Sequence, residues 1–275
     1  VRLMCQVLQV SSSGYYSWRR APEGRRACSN RDLLGKIVRI HQRSRETYGY
    51  PRVHAELRTQ GESCGRHRVA RLMRLAGLKT RQKRLWERSS RGRTFEHIEA
   101  HKLQRDFASS EPDKKWVSDI TQFPTAEGWL YLAAVMDLYS RRIVGWAMDK
   151  RPTQKIATDA LKMALWRRGK VNGLLVHSDQ GMQYRTGNYH RLLKTYGIEC
   201  SMSRKGNCLD NAAMESFFHT LKTEHSHHVQ FKTREEARQS LFEWIEVFYN
   251  RQRRHSYLSY MTPDEFERYN VATNP

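Results

Sequence analysis

Three acidic residues carry the first chemical signal in this chain. Asp119 sits in WVSDIT, Asp179 directly follows an apolar run in LLVHSDQGMQY, and Glu215 lies in LDNAAMESFFHTLKTE. The 275 residues hold 49 Lys+Arg against 28 Asp+Glu, a net charge of +21. A lone carboxylate placed after an apolar run works against a field of that sign, so Asp179 asks for partners. Carboxylates that converge are hard oxygen ligands for a divalent cation. Asp179 and Glu215 are separated by 35 residues, in a chain with 10 Asp and 18 Glu. Roughly two-thirds of one such pair is expected by chance, so the spacing alone is weak. The elements that present the acids must carry the rest.

From Lys115 onward the pattern is α/β. WVSDITQF (116–123), GWLYLAAVMDLYS (128–140) and RRIVGWAM (141–148) are predicted strands, close enough in sequence for an antiparallel meander. Thr153 is placed to cap a helix whose Ile156, Ala157, Ala160, Leu161, Ala164 and Leu165 form one stripe, closed by Gly169. GLLVHS (173–178) fits a short buried strand, Asn188–Tyr196 a helix and IECSMS a fifth strand. A strong helix follows over 209–224 and packs through Phe217, Phe218 and Leu221. Its opposite face carries Asn211, Glu215, His219 and Lys222. Three strands, helix, strand, helix, strand, helix is the element order of the ribonuclease-H-like fold. Strand, strand end and helix are the places from which Asp119, Asp179 and Glu215 can converge in it.

The charge is uneven. Residues 1–93 contribute 23 Lys+Arg and 6 Asp+Glu, a net of +17, and residues 94–275 only +4. The N-terminal third is therefore the part expected to face a polyanion, and nucleic acid is preferred over a membrane surface. YGYPRVHAELRTQG and RHRVARLMRLAGL (48–78) read as two short helices. Val53, Leu57 and Ala55 line the first; Val69, Leu72, Met73 and Ala76 line the second; Gly61 and Gly77 are the stops. The second helix also presents Arg66, His67, Arg68, Arg71 and Arg74, a basic face with the look of a helix-turn-helix. Residues 1–20 suggest a similar fragment, its second helix opening at Gly14-Tyr15-Tyr16. Because that pattern starts abruptly at Val1, the chain is expected to be the back part of a longer product. The domain expectation is a basic helical region over 1–78, a linker over 79–112, an α/β core over 113–226 and a helical extension over 227–275. Thr233-x-x-Glu236 is placed to open that extension as a capping box, with Ala237, Leu241, Trp244, Ile245 and Phe248 as its packing side.

The longest apolar run, Trp129–Met136, is too short to span a bilayer, and VRLMCQVLQV has no charged-then-apolar leader. No secretion signal or membrane partner is expected. Cys5, Cys28, Cys64, Cys200 and Cys208 form no C-x-x-C pair, so neither a disulfide framework nor a structural zinc is predicted.

WVSDIT, LAAVMDLYSRRIVGWAM, HSDQGMQY, SRKGNCLDNAAMESFFHTLK and YNRQRRHSYLSYMTP together resemble the integrase core of bacterial insertion-sequence transposases. They are similar in particular to the second-reading-frame products of insertion sequence family three. YGYPRVHAELRTQG and RVARLMRLAGL resemble that family's helix-turn-helix, so the likeness spans nearly the whole chain. It implies a DDE triad at Asp119, Asp179 and Glu215, each a metal ligand, and two Mg²⁺ ions for which Mn²⁺ substitutes. In-line displacement at a phosphodiester uses such a pair to activate the nucleophile and steady the leaving oxygen. Asp119 is the expected bridging ligand. The resemblance further implies DNA cleavage and strand transfer at the ends of a mobile element, a frameshift fusion with an upstream-frame protein, a homo-multimer on DNA, and a cytoplasmic, nucleoid-associated location.

Expected DNA contacts are Lys222, about 10 Å along the helix from Glu215 at ~1.5 Å per residue, Arg204 and Lys205 in SRKGN, and Arg66, Arg68 and Arg71. The basic residues of YNRQRRHSYLSYMTP are read as favouring a helix C-terminus and as further candidates for DNA. Asp137 rivals Asp119 and is read as structural; Asp210 rivals Glu215 and is read as a helix cap; His177 is read as packing. Two other classes stay in view. A DNA-binding regulator with a dead core would be indifferent to Glu215→Gln, and a ribonuclease-H-like nuclease would cleave without joining.

Overall fold

A computed structural model describes residues 1–20, 24–81, 103, 106–185, 187–203 and 211–273. The chain forms two compact units, Val1–Thr80 and Arg81–Pro275. Residues 82–102 of the linker and 204–210, which include all of SRKGN but its serine, lie outside the described residues.

The first unit is all helical: α1 (Arg2–Val7), α2 (Ser12–Arg20), α3 (Arg25–Arg43), α4 (Tyr50–Thr59) and α5 (Arg66–Leu75). Leu33, Ile37 and Ile40 of α3 pack with Tyr48, Val53, Leu57, Val69, Leu72 and Met73 in one buried cluster. α3 is missing from the sequence expectations, although those three residues recur at helical spacing. The turn between α4 and α5 uses Gly61 at φ +81°, a left-handed conformation that a side chain would strain. α2 opens at Ser12 rather than at Gly14, because Ser11 Oγ accepts a hydrogen bond from Gly14 N at 2.9 Å and so satisfies a first-turn donor. Ala76 lies past the end of α5 and is exposed rather than on the packed side.

The second unit is built on a five-stranded mixed sheet of order β3-β2-β1-β4-β5. β1 (Lys115–Thr125), β2 (Gly128–Asp137) and β3 (Ile143–Asp149) form the antiparallel meander. β4 (Leu175–Ser178) and β5 (Glu199–Met202) add in parallel on the other side of β1. One face, with Trp116, Ala133, Val135, Val144 and Val176, is covered by α6 (Gln154–Arg168) and α7 (Gly187–Thr195). The other, with Val117, Phe123, Leu132, Ala134 and Met136, is covered by α8 (Ala212–Glu224), α9 (Arg234–Glu243) and a π-helical turn, Trp244–Tyr249. α10 (Pro263–Thr273) follows. No helix among the described residues is long and apolar enough to cross a membrane.

All six residues of the predicted α6 stripe are buried. The helix lies so close to β3 that a Cβ at Gly145 would stand 2.2 Å from Ala160 O. Thr153 holds the N-cap position but makes no side-chain cap, whereas Thr233 does: its hydroxyl accepts from Glu236 N at 3.0 Å. Glu236 reaches back to Lys232 N at 2.7 Å, one residue outside the usual box. β2 stops at Asp137 instead of running to Ser140, because the Asp137 carboxylate takes the Tyr139 N–H at 3.0 Å and bends the chain.

Candidate active site

β1 and β4 lie side by side in parallel, and their ladder ends at the pair Ser118↔Ser178. The next residue on each strand is an aspartate. Asp119, within β1, and Asp179, just past the carboxyl end of β4, are thus neighbours where the parallel ladder stops. β1 also pairs with β2 on its other side, which makes this the point where the strand order reverses and where open α/β sheets bind ligands. Asp119 opposes Ala134, a small neighbour on the α8 side of the sheet.

Asp119 Oδ1 accepts from Ile120 N at 2.7 Å. Burial, then the neighbouring charges of Asp179 and Glu215, push its carboxyl up to about 8; the Ile120 N–H and Lys222 pull the other way. Asp179 is raised by burial, against the Gly181 N–H, which donates to its Oδ1 at 2.9 Å. That turn closes on the carboxylate: a Cβ at Gly181 would stand 2.9 Å from Asp179 Oδ1 and 2.7 Å from Gln183 Oε1. Gln180 Nε2 donates to Ser203 O at 2.9 Å and fastens the turn to the end of β5. His177 is buried between β4 and β5, with Nδ1 2.9 Å from Ser201 Oγ and Nε2 3.1 Å from Ser203 Oγ. It packs, as its sequence position suggests.

Glu215 projects from the first turn of α8 and is exposed, within electrostatic reach of Asp119. Lys222 lies two turns on and acts on the same carboxylate. The structure therefore brings the two aspartates together, with Glu215 and Lys222 near them. Among the described residues no group of three or more His, Cys, Asp or Glu is closed around a metal position. The donor set nevertheless suits a hard divalent cation: it consists of carboxylate oxygens only, and their mutual repulsion is what a cation would relieve.

Asp137 belongs elsewhere. It pairs with Trp116, on the α6 side of the sheet, and is fully buried. There it accepts from Asp113 N at 3.3 Å and meets Arg168 Nη2 at 3.5 Å. Arg168 also binds Asp113 and Glu267, and Arg142 binds Glu267 and Asp264, so this network ties α6 and α10 to the sheet. Asp210 lies outside the described residues, and Asn211 occupies the N-cap of α8.

The basic residues divide. Arg66 and Arg71 are exposed on α5, with the Arg66 guanidinium 5.1 Å above the Tyr50 ring. Arg68 is drawn inward instead, donating to Asn30 Oδ1 at 2.8 Å and Ser29 Oγ at 2.7 Å. Arg204 and Lys205 lie outside the described residues. In the YNRQRRH segment Arg251 is exposed, while Arg253 and Arg254 are buried and so do not form an open DNA-facing surface. Arg253 grips Glu224 at the end of α8, a pairing across 29 residues that no local pattern announces.

A mixed sheet of this order, with acids paired at its switch point and helices on both faces, defines a ribonuclease-H-like integrase core. Comparison with known proteins agrees: models of the integrase core domain match residues 109–208 and 196–263, and that of an HTH-like domain matches residues 29–85. Transposase InsF for insertion sequence IS3A of Escherichia coli (strain K12) is 42% identical over 274 residues, covering 99% of this chain and 95% of that protein. The 31 kDa protein of insertion element IS600 from Shigella sonnei is 43% identical over 263 residues, covering 96% and 97%. The HTLV-2 integrase catalytic core domain, solved in complex with magnesium, aligns with TM-score 0.43 and 15% identity over 58% of this chain and 99% of that one. The chain belongs to the IS3-family integrase-core transposases. It is a DNA-binding protein of transposition and DNA integration.

Proposed function

We propose that this transposase performs its polynucleotidyl transfer at Asp119, Asp179 and Glu215. The observation that carries the reading is the juxtaposition of Asp119 and Asp179, each one residue beyond Ser118↔Ser178 where the β1–β4 ladder stops. Bound divalent cations, two Mg²⁺ or Mn²⁺, would supply activation of the attacking hydroxyl and charge relief at the leaving oxygen. The protein's own residues do the positioning. Asp119 is fixed by its bond from Ile120 N, Asp179 by the Gly181 turn, and Glu215 by the α8 face that buries Phe217, Phe218 and Leu221. Lys222, already felt by Asp119, is placed to hold a phosphate beside the acids. The reaction is cleavage at element ends followed by joining of a 3′-hydroxyl to a target phosphodiester.

Residues 1–78 serve as the basic DNA-binding region, 79–112 as a linker, 113–226 as the catalytic core and 227–275 as its extension. Arg66 and Arg71 are the phosphate-facing candidates on α5. The working form is a homo-multimer fused to the upstream-frame protein, in the cytoplasm on the nucleoid. Plasmid nicking and strand joining with Mg²⁺ or Mn²⁺, comparing native protein with Asp179→Asn, tests the reading. Metal-dependent products lost in the variant support it; equal products from both proteins overturn it.

A further inference from the structure

Asn211 makes a contact that its place in the helix does not require. As the N-cap of α8 its side chain would ordinarily bond a first-turn N–H, yet it makes no cap. Its Nδ2 donates instead to Ser118 O at 3.4 Å. Carbonyls along β1 alternate between neighbours: Lys114 O accepts from Leu175 N at the β4 edge, and Lys115 O from Leu138 N just past β2. Ser118 O therefore points toward β4, past the last laddered pair of those strands. The Asn211 amide takes the place of the next strand donor and sits in the mouth between the Asp119 and Asp179 strands.

The orientation of the amide follows from its partner. A carbonyl only accepts, so the NH₂ must face Ser118 O, which leaves Oδ1 turned away from it. That oxygen is buried, on a residue only 4% exposed, and has no donor among the described residues. A buried acceptor without a donor is unfavourable unless something fills the place. Side-chain amide oxygens are regular ligands of hard cations, and they add an oxygen to an acidic site without adding charge.

We propose that Asn211 Oδ1 is a neutral oxygen ligand of the divalent cation held by Asp119 and Asp179. The inference rests on the carboxylate reading above. It also gives the N-cap of α8 a contact with the cation site, so that a bound cation would help hold the helix that carries Glu215 against the sheet.

The test is Mn²⁺ binding to the full chain, followed by the electron paramagnetic resonance signal of free Mn²⁺, for native protein, Asp179→Asn, Asn211→Leu and Asn211→Asp. Asn211→Leu is expected to weaken binding by about 10-fold or more, while Asn211→Asp, which keeps an oxygen and adds charge, binds at least as tightly as native. If Asp179→Asn weakens binding but Asn211→Leu leaves it unchanged, the Asn211 assignment falls and the carboxylate reading stands. If Asp179→Asn itself has no effect, the carboxylate reading falls and takes this inference with it. Should Asn211→Leu fail to fold by circular dichroism, Asn211→Asp decides: native-like or tighter binding supports the ligand role, and weaker binding overturns it.

Discussion

Arg253 and Glu224 form an ion pair in the second unit whose partners are both buried. Arg253 Nε donates to Glu224 Oε2 and Nη2 to Oε1, each at 2.7 Å, and their side chains are 5% and 1% exposed. Arg253→Met leaves a carboxylate in the interior without its fork of donors. Breaking a buried pair from one side costs about 3–5 kcal/mol. At roughly 2–4 °C per kcal/mol for a domain of this size, melting should fall by about 6–20 °C. The double variant Arg253→Met/Glu224→Leu has no stranded charge and fills the same space with apolar groups. Its stability should return to within about 1 kcal/mol of native, since such replacements are often neutral. Thermal and urea melts of the four proteins close the double-mutant cycle. A single-variant loss below about 1 kcal/mol, or a double variant as damaged as the sum of the singles, refutes the argument. The outcome bears on the candidate active site because Glu224 ends α8, the helix whose first turn carries Glu215.

Two further expectations follow from other parts of the chain. Burial, the largest cause, pushes Asp137 up to about 7 from 3.8. The folded chain then keeps a proton that the unfolded chain releases from about pH 4, so ionisation of Asp137 erodes stability as pH rises toward 7. Asp137→Asn removes that dependence. Urea unfolding at about pH 4.5 and pH 7.5 should show the variant gaining on native with rising pH; a gain at the acid end contradicts the sign. On α5, Arg71→Ala should reduce the log–log salt slope of DNA binding by about 0.9, one phosphate's worth. Arg68→Ala should mainly lower the melting temperature, given its bonds to Asn30 and Ser29; the reverse pattern would exchange the roles of the two arginines.

The order of elements in the core is legible in the sequence because period-2 and period-3.6 apolar patterns are local. Residues such as Leu161 and Phe217 show their buried faces without any partner in view. The acids are legible by type, and the neighbouring of Asp119 and Asp179 follows once β1 and β4 are paired. What escapes is set by partners distant in sequence. Asn211 is visible as one member of a polar face, but its bond to Ser118 depends on strand order. Arg68 reads as an open basic residue until α3 brings Asn30 beneath it, and Arg253 reads as part of a basic cluster until Glu224 buries it. Thr153 has the residue type of a cap and the position of one, yet makes no cap bond. Residue type licenses a bond without ensuring it.

Asp119→Asn tests whether phosphoryl transfer occurs at the proposed site. Joining of a labelled duplex with a free 3′-hydroxyl to target DNA, in Mg²⁺ and in Mn²⁺, should be abolished while DNA binding and melting temperature stay near native. Asp119→Asn protein that still joins strands at the native rate would place the reaction elsewhere in the chain.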